Sequence, residues 1–153
     1  MNQKTIVDIF VDGARKGWNV GVSSIIPNVI MAFSVIQVLK VTGLLEMLGK
    51  VFAPIMAIFG LPGEAAMVLL AAWVANGGGV GVAASLFTAG VINDVHVTIL
   101  LPAIFLMGAQ LQFMGRCLGT IGVKSGLYTA YFSISIINAM GAMLLTRLIL
   151  TVY

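Results

Sequence analysis

Between Glu64 and Asp94 the chain runs for twenty-nine residues without a charge. At the centre of that run stands "WVANGGGVGVAAS", an asparagine followed by Gly77, Gly78, Gly79 and Gly81. No other feature of the sequence restricts the fold as strongly. A charge-free apolar run suits a membrane, whose ~30 Å hydrocarbon core takes about 20 helical residues to cross. Glycine, however, costs a helix interior about 1 kcal/mol relative to alanine. The segments on either side, 64–75 and 80–92, would each form a helix of only about 18–20 Å, at 1.5 Å per residue. Neither spans alone. The run is therefore one long tilted helix, or two half-helices that enter, turn at the glycines and leave by the same side. Four glycines in five positions favour the second reading. Non-helical backbone at membrane depth is tolerated only where protein or a water-filled cavity surrounds it, so a re-entrant hairpin over 64–92 implies a cavity. The competing reading is that the glycines only let two helices approach closely.

The rest of the chain agrees with a membrane. Of its 153 residues, 60% are hydrophobic and 8% charged, against roughly 25% charged in a soluble domain. The net charge of +3 comes from few residues; basic groups beside apolar spans set orientation and do not suggest nucleic acid. The first seventeen residues lack the apolar core of a cleavable signal peptide. The expected fold is a single all-α integral membrane domain over 1–153. It starts with an amphipathic surface helix (5–17) and a span over 19–39 kinked at Pro27, followed by an interfacial helix (41–60). The re-entrant hairpin (64–92) comes next, then a span over 97–115, a basic loop and a last span over 127–150. Three crossings and one hairpin place the termini on opposite sides of a multi-pass protein. Lys4, Arg15, Lys16, Arg116 and Lys124 then share the N-terminal side, against Lys40, Lys50 and Arg147. The positive-inside rule favours a cytoplasmic N-terminus.

Candidate binding groups follow from polar residues inside apolar segments. Asn76 and Gly77, Gly78 and Gly79 fall at the expected hairpin tip. Tyr131, Ser135, Asn138 and Ala142 share one helical face, and an asparagine in hydrocarbon needs protein or water beside it. Ser24 and Asn28 share a face next to Pro27 and Ser23. The Tyr131 face could line a solute cavity or simply bond between helices, an interaction commonly worth about 1 kcal/mol or less; the groups beside Pro27 could border a polar site or only satisfy the backbone that the proline frees. Asp94 and His96 at a span boundary could couple an ion or proton; capping of the next helix by Asn93 or Asp94 is the favoured reading. Cys117 is the single cysteine and has no metal-binding neighbours in sequence. No carboxylate pair, metal-spaced His/Cys set or Ser/His/Asp arrangement occurs, so neither catalysis nor a cofactor is expected. Gly13, Gly17 and Gly21, four residues apart, form a face for a neighbouring helix.

This layout, with the Gly-rich hairpin "WVANGGGVGVAAS" and the "NDVHVTILLP" stretch leading into the next span, resembles the nucleoside-recognition (Gate) domain family. Its nearest likeness there is to the small, spore maturation protein B-like inner-membrane proteins of bacteria. The resemblance covers nearly the whole chain and implies a place in the bacterial inner membrane. Gate units also form parts of concentrative nucleoside transporters and of the ferrous iron transporter B. In the nucleoside transporters, two units of opposite topology build the substrate site from hairpin tips and unwound helices. The resemblance thus implies that this chain contributes half of a small-solute site, completed by a second, related Gate subunit. The Gln and Glu side chains that contact nucleosides in those transporters have no clear counterpart at this tip, which offers Asn76. A non-transporting structural subunit, with hairpin and glycines serving assembly, is the alternative.

Overall fold

The protein is described by a computed structural model covering residues 5–118 and 121–152; Lys4, counted above, lies outside the described residues. Every regular element among those residues is helical. Helix α1 (Ile6–Val20) opens on a capping box in which Thr5 accepts from the Asp8 N–H and Asp8 accepts from the Thr5 N–H. Its faces divide strongly into apolar and polar, and none of its residues is buried within the chain.

The expected separation between a surface helix and the first span is not found. The chain stays helical through Gly17 and passes into a π turn, Gly21–Ile25, and then α2, Ile26–Val41. Pro27 is the reason for the π turn. It has no N–H to continue the ladder, and the Ile26 N–H just before it reaches back five residues to the Gly21 carbonyl. One widened turn absorbs the proline without ending the helix. After a turn at Thr42 and Gly43 (φ 73°), α3 (Leu44–Ala57) leaves at 93° to the segment Val29–Val41.

The long uncharged run forms α4 (Ala66–Val74) and α5 (Asn76–Thr88), separated by the single extended residue Ala75 (φ −158°, ψ 135°). Helix α6 (Asp94–Leu106) and the short α7 (Gln110–Phe113) follow. Helix α8 (Tyr128–Val152) is the longest, at 25 residues. By length and composition, Asp94–Phe113 and Tyr128–Val152 can each cross a membrane, and the bent α2–α3 pair could be a third span. The helix at 66–74 is apolar but too short to do so.

The core lies between α4, α5 and α6, at Val68, Ala72, Val82, Leu86, Leu100 and Ile104, with Ile36, Met56 and Met143 closing it from α2, α3 and α8. Small residues set its tightness. Gly63, just before α4, lies so close to the Gly49 carbonyl of α3 that a Cβ there would overlap it. The α3 C-terminus is closed from outside: Arg147 Nη1 of α8 donates to the Ile58 carbonyl, where a cation also meets the negative end of the helix dipole.

Candidate functional site

Two helix interruptions meet at one point. The first is Ala75, between α4 and α5. The second is the Met107–Gly108–Ala109 segment between α6 and α7, where Ala109 has φ 55°. A main-chain hydrogen bond joins them directly, from the Ala109 N–H to the Ala72 carbonyl at 2.7 Å. Ala72 sits near the C-terminus of α4, where carbonyls lose their helical partners; the second break supplies one. Ala109 is the only non-glycine residue at positive φ among the described residues. That conformation costs an alanine about 1–3 kcal/mol and persists only where surroundings hold it.

Side chains then gather around the crossing. Trp73 Nε1 donates to Gln110 Oε1 at 2.9 Å, and Gln110 Nε2 donates to the Tyr131 carbonyl at 3.3 Å. Ser135 Oγ donates to the Leu106 carbonyl at 3.0 Å, satisfying a group at the end of α6. Trp73 also meets Phe132 edge-on, ring centroids 5.6 Å apart. Helix α8 therefore backs both breaks. Asn76, first residue of α5, packs its amide onto Gly108, where any Cβ would overlap Asn76 Oδ1 and the Ile104 carbonyl. Asn76 Oδ1 is the one buried side-chain polar atom without a hydrogen-bond partner among the described residues. Leaving a buried acceptor unpaired costs about 1–3 kcal/mol.

The glycines play a different part from the expected turn. The chain reverses at Ala75, and Gly77, Gly78 and Gly79 are all helical, in the first turns of α5. Gly78 and Gly79 are buried against α4: a Cβ on Gly79 would stand 2.6 Å from Ala72 Cβ, and one on Gly78 3.3 Å from the Ala71 carbonyl oxygen. A break and a close approach thus coexist. The physical reason is that an extended Ala75 is enough to reverse the chain, leaving the glycines to let α4 and α5 pack backbone to backbone.

The other sequence candidates fall in separate places. Ser135 joins the crossing, whereas Asn138, three residues on, is exposed on the outside of α8. The inward face of α8 carries Ala139 and Met143 instead. The side chains of Ser24 and Asn28 lie outside the described residues; Ser23 Oγ donates to the Asn19 carbonyl. Asp94 and His96 open α6, about 20 Å along that helix from Gly108 at 1.5 Å per residue. There Asn93 Oδ1 accepts from the His96 N–H at 3.0 Å, and the Asn93 N–H donates to His96 Nδ1 at 3.3 Å. Asn93 is the cap and His96 its reciprocal partner. A cleft of about 370 Å³ between α5 and α6 reaches Asp94 and Thr98 at one end and is otherwise apolar. Another of about 350 Å³ lies behind the crossing, bordered by Ala75, Gly78 and Gln112.

Trp73, Gly108, Ala109 and Gln110 did not stand out from the sequence as site residues. Gln110 inside an apolar span was the available signal, since a buried amide must find partners. Gly108 and Ala109 could be recognised only once Asn76 was seen to rest on them.

Fold and site together define an all-helical protein of the membrane type, built around a polar crossing of two interrupted helices. The chain belongs to the Gate family, described as nucleoside recognition, which matches residues 22–150. It is 50% identical to the inner membrane protein YjiG of Escherichia coli K12 over 147 residues, 96% of each chain. The proteins of the same name from the O6:H1 and O157:H7 strains match to the same extent. No solved structure matches it.

Proposed function

We propose that this chain is one subunit of an inner-membrane transporter or channel for a small polar solute, and that it contributes half of the solute site. In this reading the α4–α5 unit is a re-entrant hairpin with Ala75 at its tip. Asn76 and Gly77 to Gly79 present the first turn of α5 to the solute, with Ser135 and Gln110 behind them, and Ser24 and Asn28 are the further polar groups of the first span available to it. A second Gate-type subunit of opposite topology supplies the other half. The N-terminus is cytoplasmic, and Asp94 and His96 are the groups available for ion or proton coupling.

One observation carries the proposal: an unpartnered buried acceptor, Asn76 Oδ1, and a strained backbone, Ala109, occur at the same crossing. Strain and unpaired polar groups of this kind concentrate at ligand sites, where the occupant offsets their cost. Broken helices at membrane depth are also where transporters hold polar solutes.

The test is purification of the tagged full-length chain from native membranes in mild detergent, with intact-complex mass spectrometry. A nucleoside and nucleobase panel is then titrated onto the recovered complex. The expected result is a second Gate-type protein at fixed stoichiometry. At least one panel member should bind, with affinity reduced about tenfold or more by Asn76→Leu while the complex stays intact; that loss is about 1.4 kcal/mol. Recovery of this chain without a second Gate protein would overturn the half-site reading. A complex whose solute binding ignores Asn76→Leu would make the hairpin an assembly element.

A further inference from the structure

Helix α8 carries a second pattern, on the side away from the crossing. Tyr131, Ile134, Asn138, Gly141, Leu145, Leu148 and Val152 recur at spacings of three and four. That is the a/d repeat of a helix seam. The five large apolar members are 47% to 76% exposed, so none of the other described residues covers the seam. Gly141 has open space where a Cβ would point.

Asn138 decides what belongs there. It lies near the midpoint of a 25-residue apolar helix, about 15 Å from the N-terminal end at 1.5 Å per residue. The hydroxyls of Ser133, Ser135 and Thr146 on the same helix are satisfied from within. Ser133 bonds to the Thr129 carbonyl, Ser135 to Leu106 and Thr146 to Ala142. Asn138 is exposed and makes no hydrogen bond to the described residues. A carboxamide facing hydrocarbon needs a polar partner from outside the chain.

We infer that the seam of α8 pairs in parallel with the same seam of a second copy of this chain, Asn138 against Asn138. The carboxamide carries both donors and an acceptor, so it is complementary to itself. A twofold axis along the membrane normal brings each seam residue to its own counterpart. Pairing with an inverted helix does not do this. Antiparallel packing centred on Gly141 sets Asn138 against Leu145 and leaves both amides unpaired, and packing centred on Asn138 sets Gly141 against Ile134, so neither combines the amide contact with the close approach at the glycine. Gly141, one turn from Asn138, lets the two helices approach closely at the level of the amide contact. A single asparagine in an apolar seam also fixes register and partner number. The pairing is independent of the transport reading, since it uses side chains of α8 that the crossing does not.

The experiment is disulfide trapping of the full-length protein in its native membrane, in a Cys117→Ser background. Single substitutions Ile134→Cys, Asn138→Cys and Leu145→Cys sample the seam; Met140→Cys and Leu144→Cys sample an exposed flank of α8 outside it. After oxidation, intact mass identifies each product. The expected result is a dimer of this chain from the three seam positions and none from the other two. In parallel, two differently tagged copies are co-purified. Asn138→Val should weaken their association roughly threefold to tenfold, and Asn138→Gln should retain most of it. Seam cysteines that cross-link to a different protein, cross-linking as strong from Met140 and Leu144, or no homodimer from any position would each overturn the inference.

Discussion

The α4–α5 contact can be tested by adding one methyl group. In Gly79→Ala the new Cβ would stand 2.6 Å from Ala72 Cβ and 2.9 Å from Ala72 Cα. Carbon atoms rest about 3.5–4.0 Å apart, so the two helices must separate by roughly 1 Å. Part of the opposing surface is backbone and cannot rotate away. Overpacking of this kind costs about 1–3 kcal/mol, and alanine's better helix propensity returns up to about 1 kcal/mol. The net loss is about 1–2 kcal/mol, a fall of about 2–8 °C in Tm for a chain of this size. Because the Ala72 carbonyl also holds the Ala109 N–H, the displacement reaches the second break as well. Gly78→Ala is the internal control. Its Cβ comes no closer than 3.3 Å to any atom, the Ala71 carbonyl oxygen being the nearest, and crowding and propensity nearly cancel. Thermal unfolding of both variants in detergent, followed by circular dichroism, measures the difference. Adding Ala72→Gly to Gly79→Ala should recover part of the loss, which a double-mutant cycle quantifies. The reasoning is refuted if Gly79→Ala is as stable as the parent, or if Gly78→Ala is equally damaging.

Other outcomes follow from single contacts. Trp73→Phe removes the donor to Gln110 Oε1 and should lower stability by about 1 kcal/mol; Gln110→Leu added to it should cost less than the two changes summed, seen by denaturant titration. Arg147→Gln withdraws the guanidinium from the Ile58 carbonyl at the end of α3. The expected loss is about 0.5–2 kcal/mol, with hydrogen exchange at residues 58–61 rising before that of α6. At the N-terminus, the Thr5 hydroxyl and N–H bonds hold the Asp8 carboxyl below its ordinary value of 3.8. A depressed carboxylate stabilises fully above the unfolded value and loses that contribution as pH falls through the lower, folded one. Exchange at residues 6–9 should therefore increase only below about pH 4, and Asp8→Asn should abolish the step.

How much of this was readable beforehand depended on whether the signal was local. The helical membrane class followed from charge-free runs alone, and the interruption of the 64–92 segment followed from the Asn76–Gly81 cluster. The residue that turns the chain did not, because Ala75 carries no turn chemistry of its own. Its extended backbone is imposed by α5 folding back to seat Gly79 on Ala72. The continuity of α1 into α2 was missed because the change from a charged to an uncharged stretch near residue 18 reads as a boundary, and the kink expected at Pro27 is taken up by a π turn upstream. In α8, a polar face of Tyr131, Ser135, Asn138 and Ala142 was legible as a periodicity. Which edge of that face turns inward is decided by α6, which takes Ser135 through the Leu106 carbonyl and leaves Asn138 outside.

The two interruptions also explain one another energetically. An extended residue between α4 and α5 deprives α4 of hydrogen bonds to its last carbonyls, and buried carbonyls need partners from within the chain. The α6–α7 break has the same deficit, with a strained Ala109 in addition. Either break alone would leave several backbone groups unpaired. Together, the Ala109 N–H closes the Ala72 carbonyl and Ser135 closes that of Leu106, while Gln110 ties Trp73 of α4 to α8. The breaks are therefore mutually dependent, and neither α4–α5 nor α6–α7 should be stable without the other. What this mutual closure leaves over is Asn76 Oδ1, the one buried side-chain polar atom among the described residues without a hydrogen-bond partner. A site intended only for packing would be served better by an apolar residue there, since replacing an unpaired buried polar group by an apolar one of similar shape is neutral or stabilising. Asn76→Leu should therefore raise Tm even as it removes the proposed solute contact. A variant that is both more stable and inactive would separate the functional role of Asn76 from a structural one.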